Sequence, residues 1–344
     1  MNRASDARRD SLTAWLRGDL GRSPLRVELA SADASFRRYF RVFTAHGSLI
    51  VMDAPPEKEN LEPYLRIANL LQSTGVHVPQ IHAVDAARGF VLMEDLGSIQ
   101  YLSRLTAGDD PEPLYADALR SLADIQVNGA AAALRLSAYD AAALRREMQL
   151  MPEWFCTRHL QLALAPDEHT LLGGVFDFLI HAAERQPQVF VHRDYHSRNL
   201  MVTEERNPGV IDFQDAVRGP IGYDLVSLLK DCYIRWPRER VESWLRDYRL
   251  RIAARGLNAG ANELEFIRWF DLIGVQRHVK VLGIFARLWH RDGKQGYLAD
   301  LPLTLDYLRD ASARYGELQE FANWLERRAV PLLAVANARE LARR

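Results

Sequence analysis

Asp194, Asn199 and Asp212 are the side chains of this sequence whose types and spacing could do chemistry together. They stand in Val191-His192-Arg193-Asp194-Tyr195-His196-Ser197-Arg198-Asn199 and, further on, in Ile211-Asp212-Phe213-Gln214. Asn199 follows Asp194 by five positions, and Asp212 lies thirteen further on. Phosphoryl transfer from a nucleoside triphosphate asks little covalent chemistry of a protein. It needs one group to orient and deprotonate the acceptor hydroxyl, and oxygen ligands to hold a divalent cation between phosphates. An H-x-D-x-x-x-x-N loop between two short strands, then an Asp after an apolar strand, supplies both. Taken singly, the two acids read as turn residues and Asn199 as a cap. Taken jointly, their spacing favours the catalytic reading.

Such loops need elements to hold them. Aliphatic runs at 189–191, 200–203 and 209–213 predict a small β-island around the motif. Helical patterns flank it at 111–127, at 139–164 with Asp140 as N-cap, and from Asp224 onward. Upstream, residues 26–94 read as strands with one helix. Phe36, Arg38, Phe40 and Val42 alternate with Arg37, Tyr39 and Arg41, the period of a half-buried strand. Residues 48–53 form an apolar run stopped by Pro55-Pro56, 57–73 carry a helical apolar stripe, and 80–85 and 90–93 predict two further strands. The Ala-rich stretch 129–133 reads as a loop. The expected class is α+β in two lobes: a β-rich nucleotide-binding lobe at 1–96, and a helical lobe at 97–344 carrying the motif and the acceptor pocket.

Composition narrows the function. At 344 residues the chain exceeds the ~250–300 at which single cores tend to divide. Hydrophobic residues make up 48%, which excludes wholesale disorder. With 44 Lys+Arg against 45 Asp+Glu, the basic excess of a nucleic-acid binder is missing. Cys156 and Cys232 have no partner at metal-ligand spacing, so neither a disulfide framework nor a zinc site is expected. No apolar run approaches the ~18 residues of a membrane span, and the N-terminus lacks a signal peptide's apolar core. The expectation is a soluble cytoplasmic enzyme with no membrane or nucleic-acid partner.

The motif residues resemble those of the protein-kinase-like superfamily, and within it the small-molecule branch of aminoglycoside and choline kinases. That branch commonly reads H-x-D-x-H-x-x-N, as here with His196. Gly219-Pro220-Ile221-Gly222-Tyr223-Asp224-Leu225 resembles its Gly-Asp-Pro-x-x-Asp-Leu segment, and Phe90-Val91-Leu92-Met93-Glu94-Asp95-Leu96-Gly97 resembles its interlobe hinge. The resemblance implies a two-lobed protein-kinase-like fold, with ATP and Mg²⁺ as cofactors. It also implies Asp194 as the base, Asn199 and Asp212 as metal ligands, and nucleotide contacts at Glu94 and Leu96. His192 and Asp224 would be scaffold. Asp215 would face the metal or sit in a turn, and His196 would touch substrate or merely pack.

Two features depart from the branch. The turn that covers the phosphates reads Ser31-Ala32-Asp33-Ala34-Ser35, without glycine, so Ser31 and Ser35 become the candidate phosphate contacts. The third strand ends Val51-Met52-Asp53, where the branch places Lys or Arg. Compensation would fall to Arg37, Arg38, Arg41 or Lys58, with Arg38 as the named nucleotide contact.

For the acceptor, residues 276–294 place Arg277, Lys280, Arg287, Arg291 and Lys294 within one ~100° helical arc. Val275, Val279, Leu282, Ala286 and Trp289 lie roughly opposite. The arc is either a solvated face or a wall from which Arg277 or Arg291 reaches a ligand carboxylate or phosphate. Segments 31–41, 144–155 and 274–292 resemble the family of anomeric N-acetylmuramate/N-acetylglucosamine kinases of bacterial cell-wall recycling. So does 51–56, which makes the missing lysine a trait of that group. This resemblance implies phosphorylation of the C1 hydroxyl of an amino sugar, giving an α-1-phosphate for a uridylyltransferase. The lactyl carboxylate of muramate would suit a cationic wall. Glu147 and Trp154 are then either sugar contacts or ordinary helix residues. An aminoglycoside acceptor would want an acidic pocket, but 256–344 carry 13 Lys+Arg against 11 Asp+Glu. A non-catalytic relative would have no need to keep all three motif residues.

Overall fold

The computed structural model describes residues 6–22, 24–32 and 36–343. The alternating segments of the first third form a five-stranded antiparallel sheet, ordered β1-β2-β3-β5-β4. Its strands are β1 (Arg26–Ala32), β2 (Arg38–Thr44), β3 (Gly47–Asp53), β4 (Ile81–Asp85) and β5 (Phe90–Glu94). Because strand side chains alternate, the sheet has two apolar faces. Phe40, Val42, Val51 and Leu92 pack with Leu12, Trp15 and Leu16 of α1 (Ala7–Gly18), a helix the sequence pattern had not indicated. Met52, Val91 and Met93 join the main core with Ile67 and Leu71 of α2 (Leu61–Gln72). That helix begins later than its apolar stripe because residues 55–59 form a turn on the Pro55 carbonyl and Asn60 supplies the cap.

The remainder is mainly helical: α3 (Tyr101–Thr106), α4 (Pro111–Asn128), α5 (Ala130–Ala133), α6 (Ala141–Met148), α7 (Pro166–Glu184), α8 (Tyr223–Leu229), α9 (Arg238–Ala253), α10 (Glu263–His290), α11 (Leu301–Ser312), α12 (Gln319–Trp324) and α13 (Val330–Ala342). Residues 129–133 therefore contain a short helix rather than a plain loop. The helix expected over 139–164 is broken. Asp140 caps α6 as read, but a π-helical stretch, Met151–His159, replaces its second half. Pro152 cannot donate a backbone hydrogen bond there. Gly283 of α10 also lies so close that an added Cβ would come within 2.3 Å of the Leu150 carbonyl carbon. This backbone approach sets the end of α6 against the middle of α10.

The β-island consists of two small sheets, β6 (Gln188–Val191) with β9 (Val217–Pro220), and β7 (Leu200–Met201) with β8 (Gly209–Val210). Strand β9 had no apolar run to announce it. Among the described residues no helix is long and apolar enough to cross a membrane.

Candidate active site

Strand β6 delivers the chain into the loop at 192–199. Arg193, just before Asp194, has φ 80°, a region few non-glycine residues enter. Asp224, in the first turn of α8, holds it there: its two oxygens accept the N–H groups of His192 at 2.7 Å and Arg193 at 2.9 Å. Ser227 Oγ donates to the Arg193 carbonyl at 3.1 Å. Burial pushes the Asp224 pKa up to about 7, against the pull of those two donors. His192 donates from Nε2 to the Ile211 carbonyl at 3.1 Å and accepts the Asp194 N–H at Nδ1, 3.3 Å away. Only a neutral ring does both, and burial takes its pKa down to about 4. Asp231 receives the N–H and hydroxyl of Ser197 at 3.0 and 2.5 Å.

The Asp194 carbonyl accepts from Asn199 Nδ2 at 3.0 Å, and the same nitrogen reaches Asp212 Oδ2 at 3.3 Å. Gln214 Nε2 donates to Asp212 Oδ1 at 2.8 Å. Asp212, like Arg193, has a positive φ, 62°. Backbone strain persists only where surroundings over-determine it, and it collects at functional sites.

Two cavities border this unit. One, of about 390 Å³, lies between the sheet and the helical lobe and is lined by Ser31, Tyr39, Arg41, Ile50, residues 94–97, Asn199 and Asp212. The Leu96 N–H makes no hydrogen bond among the described residues. Glu94 uses its carboxylate on His77 Nε2 (3.0 Å) and the Gln80 N–H (3.1 Å). Asn199 and Asp212 give this cavity an amide and a carboxylate. Such hard oxygen donors fit Mg²⁺, which takes one or two protein ligands and completes its shell from phosphates and water. Among the described residues no three His, Cys, Asp or Glu side chains cluster to hold a metal by themselves.

The other cavity, of about 340 Å³, opens from Asp194 toward α10 and is lined by Glu147, Arg193, His196, Asp215, Tyr233, Arg277, Lys280, Phe285 and Arg287. Arg277 and Lys280 are only 4% and 6% exposed, and with Arg287 they turn the inner part of the cationic arc to the cavity rather than to solvent. Lys280 Nζ reaches Tyr223 OH at 2.9 Å and Glu147 at 3.1 Å, and Glu147 also pairs with Arg193 and Tyr139. Burial by itself would raise the pKa of Glu147, but Lys280 and Arg193 hold it below the usual carboxylate range. Asp194 follows the same pattern: burial raises its pKa, but Lys280, His196, Arg277 and Arg193 outweigh it and keep the carboxylate ionised. Several buried nitrogen atoms on this wall have no hydrogen-bond partner among the described residues, including Nε of Arg193, Arg277 and Arg287 and Nδ1 of His196. Buried donors without acceptors are costly, and an anionic ligand would satisfy them.

Residues 26–262 match the model of the phosphotransferase enzyme family, APH. The chain belongs to that family. An N-acetylmuramate/N-acetylglucosamine kinase of Pseudomonas putida is 46% identical over 325 residues, covering 92% of this chain and 95% of its own. An enzyme of the same name from Neisseria meningitidis is 42% identical, with 90% and 93% covered. A choline kinase from Streptococcus pneumoniae superposes with a TM-score of 0.62 at 12% identity, covering 89% of this chain and 100% of its own. An ADP-bound aminoglycoside phosphotransferase gives 0.57 at 14%, covering 88% and 97%. The fold is therefore the two-lobed protein-kinase-like one, and this phosphotransferase is a small-molecule kinase with an alcohol group as acceptor.

The phosphotransferase site gathers most of the expected residues and displaces three. Ser31, Glu94 and Leu96 line the interlobe cavity, and Glu147, His196 and Arg277 line the other. Ser35 lies outside the described residues. Arg38 is a correction: strand alternation turns it to the α1 face, where Asp53 and Asp6 hold its guanidinium at 2.6 and 2.5 Å. Trp154 is a second, since it packs against the core on the π-helical stretch, away from the cavity lining, with Arg158 5.8 Å from its ring. The cavity's aromatic surface comes from Tyr233 and Phe285. Arg291 is a third: α10 stops at His290, ahead of Gly293 with φ 69°, and Arg291 pairs outside with Asp292 at 2.7 Å. Asp215 sits in the turn after Asp212 and borders the acceptor cavity.

Residues missed as site members are Arg193, Lys280, Arg287, Asp231 and Tyr233. Lys280 and Arg287 were visible in the cationic arc, and Arg193 lies inside the motif. Nothing in the sequence singled out Asp231 or Tyr233.

Proposed function

We propose that this kinase transfers the γ-phosphoryl group of ATP to the anomeric hydroxyl of N-acetylmuramate and N-acetylglucosamine, giving the α-1-phosphate. The observation that carries the reading is the acceptor cavity, where Arg193, Arg277, Lys280 and Arg287 offset Glu147, Asp194, Asp215 and Asp231, leaving none of the acidic excess a polycationic aminoglycoside would need. The names of relatives at 42–46% identity point the same way.

In this reading Asp194 orients the C1 hydroxyl and takes its proton as the oxygen attacks the γ-phosphorus. The new C1–O–P linkage forms while the bond from that phosphorus to the β,γ-bridging oxygen breaks, and ADP leaves with the electron pair. The anomeric hydroxyl is the most acidic of the sugar's hydroxyls, so a base with a lowered pKa suffices. Asn199 and Asp212 would hold Mg²⁺, which when bound neutralises charge between the β- and γ-phosphates. Arg277 and Lys280, beside Asp194, stabilise the transferring group electrostatically. Glu147 keeps Arg193 and Lys280 in place, and His196, Tyr233 and Phe285 form the sugar's wall. Ser31 lies toward the phosphates, and the backbone from Glu94 to Leu96 reads adenine.

The lobe boundary falls after Leu96, giving units at 1–96 and 97–344. The setting is cytoplasmic peptidoglycan recycling, with a uridylyltransferase consuming the sugar 1-phosphate. The test is ATP turnover with the free sugars and with their 1-O-methyl glycosides. Free sugars should be consumed and the glycosides should be inert; turnover of a glycoside would contradict the anomeric assignment.

A further inference from the structure

The cations of α10 differ in how they are used. Lys280 is engaged by Tyr223 and Glu147. Arg277 is buried next to Asp194, and its guanidinium reaches Cys232 Sγ at 3.7 Å. Arg287 lines the same cavity, yet its side chain makes no hydrogen bond or ion pair among the described residues, and its Nε is shielded from water. Its pKa is lowered, first by burial and then by Arg291, which together outweigh the opposing pull of Asp292, Glu153 and Glu147. A half-buried guanidinium held this way costs free energy unless a ligand supplies an acceptor.

Position says which acceptor. Arg287 lies ten residues beyond Arg277, about 15 Å along the helix axis, so it borders the cavity away from the reaction centre. A sugar whose C1 oxygen sits at Asp194 projects its C3 substituent away from that carboxylate. In N-acetylmuramate this substituent is the lactyl ether, ending in a carboxylate; in N-acetylglucosamine it is a hydroxyl. We infer that Arg287 is the specificity-determining residue that binds the lactyl carboxylate of an acidic amino sugar. The inference rests on the amino-sugar reading above and divides α10 into an inner end serving the transfer and an outer end selecting the acceptor. Arg is suited to this because its planar fork can meet a carboxylate with two parallel N–H···O bonds.

The test is steady-state kinetics of Arg287→Ala and Arg287→Gln with both sugars at saturating ATP, alongside their melting temperatures. The ratio of kcat/KM for N-acetylmuramate over N-acetylglucosamine should fall at least tenfold, mainly through the KM for muramate. Turnover of glucosamine by the same variant reports that it is folded. The lactyl methyl ester, which lacks the charge, should lose less than threefold on the same substitutions. An unchanged ratio, or an ester as sensitive as the acid, would overturn the inference while leaving the anomeric reading intact. If the unmodified chain phosphorylated neither sugar, the acceptor reading itself would fall, and this inference with it.

Discussion

The sheet lobe and the acceptor cavity use their cations in opposite ways. In the sheet lobe, Arg8 and Arg38 close on Asp53, which is fully buried. Arg41 grips Asp95 at 2.6 Å and the Gly97 carbonyl at 2.8 Å. Those charges tie α1 to the sheet and the hinge to β2. Asp53 ends β3, and strand alternation turns it toward α1 while Met52 faces the main core. In the acceptor cavity, by contrast, Arg277 and Arg287 keep donors that no group among the described residues satisfies. A closed ion cluster is architecture; an open one awaits a ligand. Arg37 shares the alternation of Tyr39 and Arg41, which line the interlobe cavity, and pairs with Glu59 at 3.8 Å, so it is the candidate to supply the cation that the third strand lacks.

The contrast can be broken most severely at the reaction centre. Asp194→Asn should lower kcat by about 10²–10⁴ with the melting temperature preserved; more than a third of the activity remaining would remove Asp194 from the role of base.

The next largest effect should come from a closed cluster in the helical lobe. Asp271 is fully buried and takes Lys230 at 2.9 Å, Arg238 at 2.6 and 2.9 Å, and Tyr315 OH at 3.0 Å. Asp271→Asn leaves the buried Lys230 without its charge partner and the half-buried Arg238 with Glu242 alone, and should cost roughly 3–5 kcal/mol by urea denaturation. Burial alone would raise the pKa of Asp271, but Lys230 and Arg238 lower it from the ordinary 3.8 to about 2. Its stabilisation is therefore complete above the ordinary value and lost as pH falls through about 2.

His192 and His159 are lowered by burial from 6.5 to about 4, so at these rings the folded state binds fewer protons than the unfolded one, and their contribution to stability falls as pH drops from about 6.5 to about 4. Asp224, raised to about 7, binds more protons when folded and works the other way over the same range. The ring at His159 is therefore tested by difference: His159→Gln should make stability fall less, relative to the unmodified chain, between pH 6.5 and 4, whereas Asp271→Asn should change only the step near pH 2. An unchanged profile for His159→Gln would contradict the neutral, buried ring.

The smallest effects sharpen the contrast within the sheet lobe. Arg37→Ala should raise the KM for ATP roughly tenfold, the worth of one charge-assisted contact. Arg38→Ala should lower the melting temperature and move that KM little. The reverse pattern would put Arg38 back among the nucleotide contacts.

Much of this was legible from residues. The motif announced itself because loop chemistry requires fixed types at fixed spacing, and Asp194, Asn199 and Asp212 prove to be one hydrogen-bonded unit. The sheet strands were visible through their period of two. Harder to read was which face of β2 looked toward the cleft, because Arg38 and Arg41 are chemically alike and only the placement of α1 separates them. Trp154 misled because a π-helical stretch rotates side chains off the 100° wheel. Arg291 misled because the arc ran past the helix end. Asp231 and Tyr233 follow α8 in a segment without motif or period, and only the fold brings them under the catalytic loop.

The measurement closest to the central claim is phosphorus NMR of the product formed from ATP and either sugar. A phosphate signal coupled to the anomeric proton, identifying an α-1-phosphate, is the result expected if Asp194 acts on the C1 hydroxyl. A 6-phosphate would contradict the account and return the acceptor cavity to a different class of alcohol.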